Sequence, residues 1–313
     1  MPSNQIAFSK INESKADFDH IYHQPDPREY FRVLCGLDYV IPELARVPFQ
    51  AIFDALRATR GPRLKIADLG CSYGVNASLL RYPLDLARLT RRYSSPDMQR
   101  VDATTLAELD KNYFRSWPSQ HEDMFVGIDT SLLAVQYALQ TGLIEAAVTT
   151  NLEQREPTAS EIGVLRGLNI VISTGCIGYT TEKSLRRILC AQGPQPLPWV
   201  ASLVLRMFPY DSIAAELARF GLVTEKLEGV TFVQRRFHSA EEFDQSMALL
   251  EGRGIDPTGK EAEGLLHAEL YLSRPAAETG KKLQEIVSIT SGAHRRYGRR
   301  FVKDSLGAAK LIN

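Results

Sequence analysis

The stretch Leu64-Lys65-Ile66-Ala67-Asp68-Leu69-Gly70-Cys71-Ser72-Tyr73-Gly74-Val75-Asn76 constrains the fold more than any other part of the chain. A short apolar run with β character stops at a glycine turn, and Ala77-Ser78-Leu79-Leu80 continues as the first turns of a helix. Glycine lets the backbone approach a ligand closely, and the free N–H groups of a helix N-terminus face the strand's carboxyl end. In an open parallel sheet, the first such turn lies where the strand order reverses, which is where ligands bind.

Three chemistries compete for this turn. Dinucleotide binding asks for G-x-G-x-x-G, but after Gly70 the next glycine is Gly74. Gly70-Cys71-Ser72-Tyr73-Gly74 does match G-x-S-x-G, the nucleophile elbow of α/β-hydrolases. That elbow follows several earlier strands, whereas the residues ahead of Leu64 read as helix and loop. The third reading starts from Asp68-x-Gly70-x-x-x-Gly74-x-Asn76, which resembles the first motif of class I S-adenosylmethionine (SAM) dependent methyltransferases. There an acidic residue ends the first strand, and the glycine turn lies under the methionine and ribose portions of SAM. Ser72 stands where a middle glycine is usual.

Composition narrows the setting. In 313 residues, 44% are hydrophobic and 24% charged, an ordinary globular balance. Acids and bases are equal at 37 each, so there is no global attraction to nucleic acid or anionic membrane. No apolar run is long enough to span a bilayer. Met1-Pro2-Ser3-Asn4-Gln5 lacks the charged-then-apolar pattern of a secretory signal. Cys35, Cys71, Cys176 and Cys190 show no C-x-x-C spacing, and His20 and His23 lack a third ligand. The expectation is a cytoplasmic protein with reduced thiols, no metal, no nucleic-acid or membrane partner, a small-molecule substrate, and a homodimer left open.

Residues 1–60 are rich in aromatics, from Phe8 to Phe53, and Pro25, Pro27, Pro42 and Pro48 break them into short helices. They read either as a helical layer on the sheet or as a cap over a ligand. The stretch 83–123 is longer than a crossover needs and reads as a helical insertion, with Arg88, Arg91 and Arg92 on a solvated face. The second strand, Phe125-Val126-Gly127-Ile128-Asp129, ends on an acid. A carboxylate there suits a ribose, since it accepts two hydrogen bonds from vicinal hydroxyls. The competing role is a helix N-cap, with Thr130 and Ser131 as rival caps.

A third strand over 146–150 leads to Asn151-Leu152-Glu153, and a fourth over 168–173 leads to Thr174-Gly175-Cys176-Ile177-Gly178-Tyr179-Thr180-Thr181. Cys71 and Cys176 read as small space-fillers, because no histidine lies nearby in sequence to activate them. A fifth strand starts at Trp199, and Val223–Leu227 with Thr231–Phe237 reads as a hairpin of strands six and seven. The 61–238 segment is then the core and 239–313 an extension, in which 266–272 reads as an added strand. The tail carries Lys281, Lys282, Arg295, Arg296, Arg299, Arg300 and Lys303, read as a docked or solvated terminus.

Beyond the first motif, Tyr22–Phe31, Gly70–Asn76, Thr174–Thr181, Trp199–Tyr210 and Gln234–Phe237 resemble a subgroup that includes the methyltransferase-like azetidine-2-carboxylate synthases. The resemblance covers nearly the whole chain. It implies a Rossmann-like, seven-stranded α/β sheet, mostly parallel with one antiparallel edge hairpin, under an N-terminal helical cap. It also implies that SAM is the substrate or methyl donor. Asp129 would hold the ribose, and Asn151 and Leu152 the adenine. Asp68, Gly70, Cys71, Ser72, Gly74 and Asn76 would hold the amino-acid end, and Thr130, Ser173 and Thr174 would be further contacts to the cofactor. Tyr179, with Tyr22 or Tyr30, would wall the sulfur and accept a proton. The implied reaction is cyclisation of SAM to azetidine-2-carboxylate and methylthioadenosine. Methyl transfer to a small acceptor and non-catalytic SAM binding are the alternatives.

Overall fold

The computed structural model describes residues 18–287, 300–303, 305 and 307–312. Phe8, His294, Arg295, Arg296 and Arg299 lie outside the described residues.

In chain order the helices are α1 (Asp19–Tyr22), α2 (Arg28–Gly36), α3 (Ile41–Arg60), α4 (Val75–Arg81), α5 (Leu86–Ser94), α6 (Pro96–Arg100), α7 (Ala103–Arg115), α8 (Leu132–Gln140), α9 (Ala159–Leu165), α10 (Glu182–Cys190), α11 (Asp211–Arg219), α12 (Ala240–Gly252) and α13 (Leu283–Ile286). The strands are β1 (Lys65–Leu69), β2 (Met124–Ile128), β3 (Ala146–Val148), β4 (Ile170–Thr174), β5 (Trp199–Leu205), β6 (Leu222–Lys226), β7 (Thr231–Arg236), β8 (Leu265–Pro275), β9 (Arg300–Lys303) and β10 (Ala308–Ile312).

Among the described residues all ten strands join one sheet, nine of them along the path β3-β2-β1-β4-β5-β8-β7-β10-β9, with β6 also paired to β8. The first five are mutually parallel. Their central members are mostly apolar because helices flank the sheet; every residue of β5 is buried. This is a Rossmann-like α/β architecture, mostly parallel, with order reversing between β1 and β4.

The outer part of the sheet corrects the expected seven strands and edge hairpin. Strands β6 and β7 do not pair with each other. Both run antiparallel to β8, β7 along Leu265–Ala268 and β6 along Tyr271–Pro275. At 11 residues, β8 is long enough to carry them end to end, and the Gly229 turn (φ 67°) steps the chain from one to the next. The antiparallel strand therefore comes from the segment read as an extension, and it lies inside the sheet, against β5. Beyond β7, β10 adds in parallel and pairs with β9 as a hairpin.

The long connection after α4 folds as α5, α6 and α7, each opened by a side-chain cap from Asp85, Ser95 or Asp102. Within 1–60, α3 packs against α4, β4 and β7 as a layer of the core. Helices α1 and α2, with residues 37–40, stand over the carboxyl ends of the strands.

Candidate functional site

A cavity of about 500 Å³ opens where β1, β2 and β4 end. Its floor is the β1 turn, one flank is Ile128–Ser131 with Thr150–Gln154, and the other is Thr174–Cys176. Phe18, Tyr22, Tyr30 and Tyr39 roof it, and Gln234 and Arg235 close the back. This is the crevice at the point of strand-order reversal.

The floor is built by close approach. Gly70 has φ 78°, and a Cβ there would lie 2.7 Å from the Cys176 Cβ, so the β1 and β4 exits meet backbone to side chain. Gly175 is held likewise, its Cβ position lying 2.4 Å from Gln234 Nε2. Ser72 takes the left-handed conformation too (φ 48°), at the position where a glycine would be unstrained. Its N–H donates to Asp129 Oδ2 at 2.9 Å, and the Ser131 N–H donates to Asp129 Oδ1 at 2.9 Å. Asp129 thus serves the turn into α8 as well as the β1 loop, and each oxygen keeps a further acceptor position for a ligand. The Ser72 hydroxyl is buried and has no partner among the described residues.

Of the residues expected at the site, Tyr22, Tyr30, Tyr179, Gly70, Cys71, Ser72, Asn76, Asp129, Thr130, Asn151, Leu152 and Thr174 line this cavity. Asp68, Gly74 and Ser173 do not. Asp68 lies beneath the floor, fully buried, and accepts from Asn76 Nδ2 at 2.9 Å. The same nitrogen donates to Thr174 Oγ1 at 2.9 Å, so Asp68 reaches the cavity only through the residues it aligns. Gly74 packs outward: a Cβ there would meet Leu143 at 3.0 Å and Ala138 at 3.3 Å. Ser173 is buried with its hydroxyl 3.0 Å from Cys176 Sγ.

Electrostatics follow from enclosure. Burial pushes the Asp68 carboxyl up to about 7; the Asn76 bond works against this and the nearby Asp129 charge adds to it. Burial, with Asp129 and Asp68 adding, raises the Cys71 thiol well above its ordinary value, and burial takes Cys176 up to about 11 despite bonds from Ser173 and Thr180. Both stay protonated at neutral pH, as space-fillers should. Burial raises Tyr22, Tyr30 and Tyr39; Tyr39 adds to the rise on Tyr22 and, with Tyr22, on Tyr30, while the hydrogen bond with Tyr30 works against it on Tyr39. The Arg235 guanidinium acts against the rise on Tyr22 and Tyr39.

Sequence reasoning assigned no role to Tyr39, Gln234, Arg235 or Tyr73. Tyr39 is seated by a short backbone pairing, Val40 N–H to Gln234 O (2.9 Å) and Arg236 N–H to Leu37 O (2.8 Å). Gln234 sits in a register shift of β7 between Val233 and Arg235, and a bulge of this kind re-aims side chains. Arg235 is paired with Glu242 at 2.8 Å behind the cavity. Tyr73 leaves the glycine turn and donates from its hydroxyl to the carbonyls of Ile21 (2.8 Å) and Gln24 (2.9 Å), which pins the roof to the floor. Its aromatic type was the available signal. Its direction was not.

The charged and basic groups on the cavity wall are few. Among the described residues that line it there is no histidine and no lysine, and Glu153 is engaged with α10. His20 and His23 are exposed and lie off the wall. No group of three or more His, Cys, Asp or Glu side chains able to hold a metal occurs among the described residues. No helix among them is long and apolar enough to cross a membrane.

Comparison with protein-family models and with curated proteins finds no match. Solved structures do resemble the chain. Magnesium protoporphyrin IX methyltransferase from Synechocystis, crystallised with bound SAM, is 12% identical over 87% of this chain and 92% of that one, with a TM-score of 0.35. A SAM-dependent methyltransferase from Geobacter sulfurreducens, in complex with S-adenosyl-L-homocysteine, is 14% identical over 86% and 97%, at 0.32. A cyclopropane-fatty-acyl-phospholipid synthase-like protein from Lactobacillus casei is 12% identical over 86% and 99%, at 0.38. At these scores the likeness carries no weight for activity, which is argued from the cavity itself.

Proposed function

We propose that this chain is a SAM-dependent enzyme that closes the methionyl chain of SAM into azetidine-2-carboxylate and releases methylthioadenosine. The residues present suit such a ligand. Gly70 and Gly175 let the β1 and β4 exits close up on Cys176 and Gln234, the Ser72 hydroxyl has no partner among the described residues, and Asp129 offers a carboxylate where a ribose would lie. Tyrosine faces can hold a sulfonium without presenting a competing nucleophile at neutral pH.

The observation that carries cyclisation is the absence of a strong base on the described wall. Phenols raised by burial stay protonated, and the thiols do too. The cavity therefore favours a nucleophile that becomes neutral unaided, and an α-amine titrates near pH 8. In the proposed step the α-ammonium gives one proton to water. The nitrogen lone pair forms a bond to the γ-carbon, the γ-carbon–sulfur bond breaks, and its electron pair leaves on the now neutral thioether. The protein's part is to fold the chain into a near-attack shape and to keep other nucleophiles away. The tyrosine roof, fixed by Tyr73 and by residues 37–40, supports that role.

One observation favours a second reading, methyl transfer to an amine. Tyr179 is 53% exposed at the cavity mouth, which leaves a side open to an acceptor. Incubating the full chain with SAM alone separates the readings. Methylthioadenosine and the cyclic amino acid support cyclisation. Turnover that requires an added amine and yields S-adenosylhomocysteine overturns it in favour of transfer, and no turnover in either case leaves a binder. Asp129→Ala is expected to weaken methylthioadenosine binding at least tenfold, about 1.4 kcal/mol or more for the lost charge-assisted bonds. Unchanged affinity by calorimetry would remove Asp129 from the nucleoside site.

A further inference from the structure

We propose that Glu153 is a positioning residue that locks the base-side loop, 149–154, to the loop carrying Tyr179, so that the two form one wall of the cavity. The proposal rests on the cavity being a nucleoside site.

Glu153 follows Asn151 and Leu152, where an adenine would be held, yet its carboxylate is spent on another element. Oε1 accepts the Thr181 N–H at 2.7 Å, the Ser184 N–H at 3.3 Å and the Ser184 hydroxyl at 2.6 Å. Oε2 accepts the Thr181 hydroxyl at 2.8 Å. These groups open α10. The helix's own cap bond, from Lys183 N–H to Thr181 Oγ1, is long at 3.3 Å. The free N–H groups of a helix start need acceptors, and here a residue 28 positions earlier supplies them.

The grip is returned. Arg187 of α10 donates to the Leu152 carbonyl and, at 2.8 Å, to Glu156. From the other side, Glu161 of α9 accepts the N–H groups of Thr149 (3.1 Å) and Thr150 (3.0 Å) and the Thr150 hydroxyl (2.7 Å). Within the loop, the Glu153 N–H donates to Asn151 Oδ1 at 3.0 Å, which fixes where Glu153 leaves the backbone.

The Tyr179 loop is fastened at its other end as well. The N–H groups of Tyr179 and Thr180 both donate to the Cys176 carbonyl at 3.0 Å, and Gly178 lies where a Cβ would meet the Phe208 ring at 2.6 Å. At Thr181 it is Glu153 that holds the loop. Glu153, Thr180 and Ser184 all line the cavity, so these bonds are part of the wall. Ligand pressed against Asn151 and Leu152 is thereby felt at Tyr179, and the reverse must hold by linkage.

Hydrogen exchange on the full chain, with and without methylthioadenosine, tests this. In wild-type protein the nucleoside should slow exchange at least tenfold in both 149–154 and 177–184. In Glu153→Ala the slowing should persist in 149–154 and vanish in 177–184, with Glu153→Gln intermediate because it keeps an acceptor. Ligand-induced slowing in 177–184 that survives in both variants overturns the proposal. So do equal Thr181 and Ser184 amide rates in ligand-free wild-type and variant proteins, a comparison that needs no ligand. If wild-type protein takes up neither SAM nor methylthioadenosine by calorimetry, the nucleoside reading itself fails, while the ligand-free comparison still decides the clamp.

Discussion

Asp68 shows how one residue can matter to a cavity it does not touch. Its carboxyl is held up to about 7 by burial, against an ordinary value near 3.8, so the folded chain binds this proton more tightly than the unfolded one. The contribution favours folding most below pH 4, falls as pH rises from 4 to 7, and is level above that. Asp68→Asn keeps an acceptor for Asn76 and abolishes the titration. Its stability relative to wild type should therefore climb by a few kcal/mol between pH 4 and pH 7.5, each pKa unit being worth about 1.4 kcal/mol. Urea denaturation at the two pH values checks this, and a constant difference would show that the carboxyl is not held up. Residue by residue, the sequence made the acids at the ends of β1 and β2 plain, because a polar side chain after an apolar run marks a strand's exit. Whether such an acid faces the ligand or lies beneath it depends on the neighbours brought across by β4, which Asp68 and Asp129 illustrate in opposite ways.

At the scale of elements, Tyr73 joins the glycine turn to the roof. Tyr73→Phe removes the hydrogen bonds to the carbonyls of Ile21 in α1 and of Gln24 just past it and leaves those carbonyls less satisfied, at a cost of about 1–3 kcal/mol. The expected outcome is a lower melting temperature together with faster amide exchange over 19–24, and an unchanged exchange pattern there would show that the roof is held by packing alone. The strand-turn-helix at 64–81 and the parallel strands were legible because period, glycine and capping residues agreed. The partners of β6 and β7 were not. Two short strands around a glycine satisfy the same pattern whether they fold back on each other or run on in line, and only the length of β8 decides. The bulge that turns Gln234 and Arg235 into the site likewise leaves no local trace, since it arises from register with His267 and Leu266.

For the molecule as a whole, the placement of β8 means that residues 61–238 are not a self-sufficient core. A chain ending at Phe237 leaves the outer edge of β5, buried along its length in the full chain, without its partner. Such a truncation is expected to be aggregation-prone and to lack a cooperative melting transition. A soluble monomer with a sharp transition by circular dichroism would contradict that.

Order of synthesis gives β8 a further meaning. The ribosome delivers β5 at residue 205 and the strand that must lie beside it only at residue 265, with α11, β6, β7 and α12 emerging between. For the time taken to make those sixty residues the nascent sheet has a bare apolar rim, a liability of the kind that holding chaperones exist to shield.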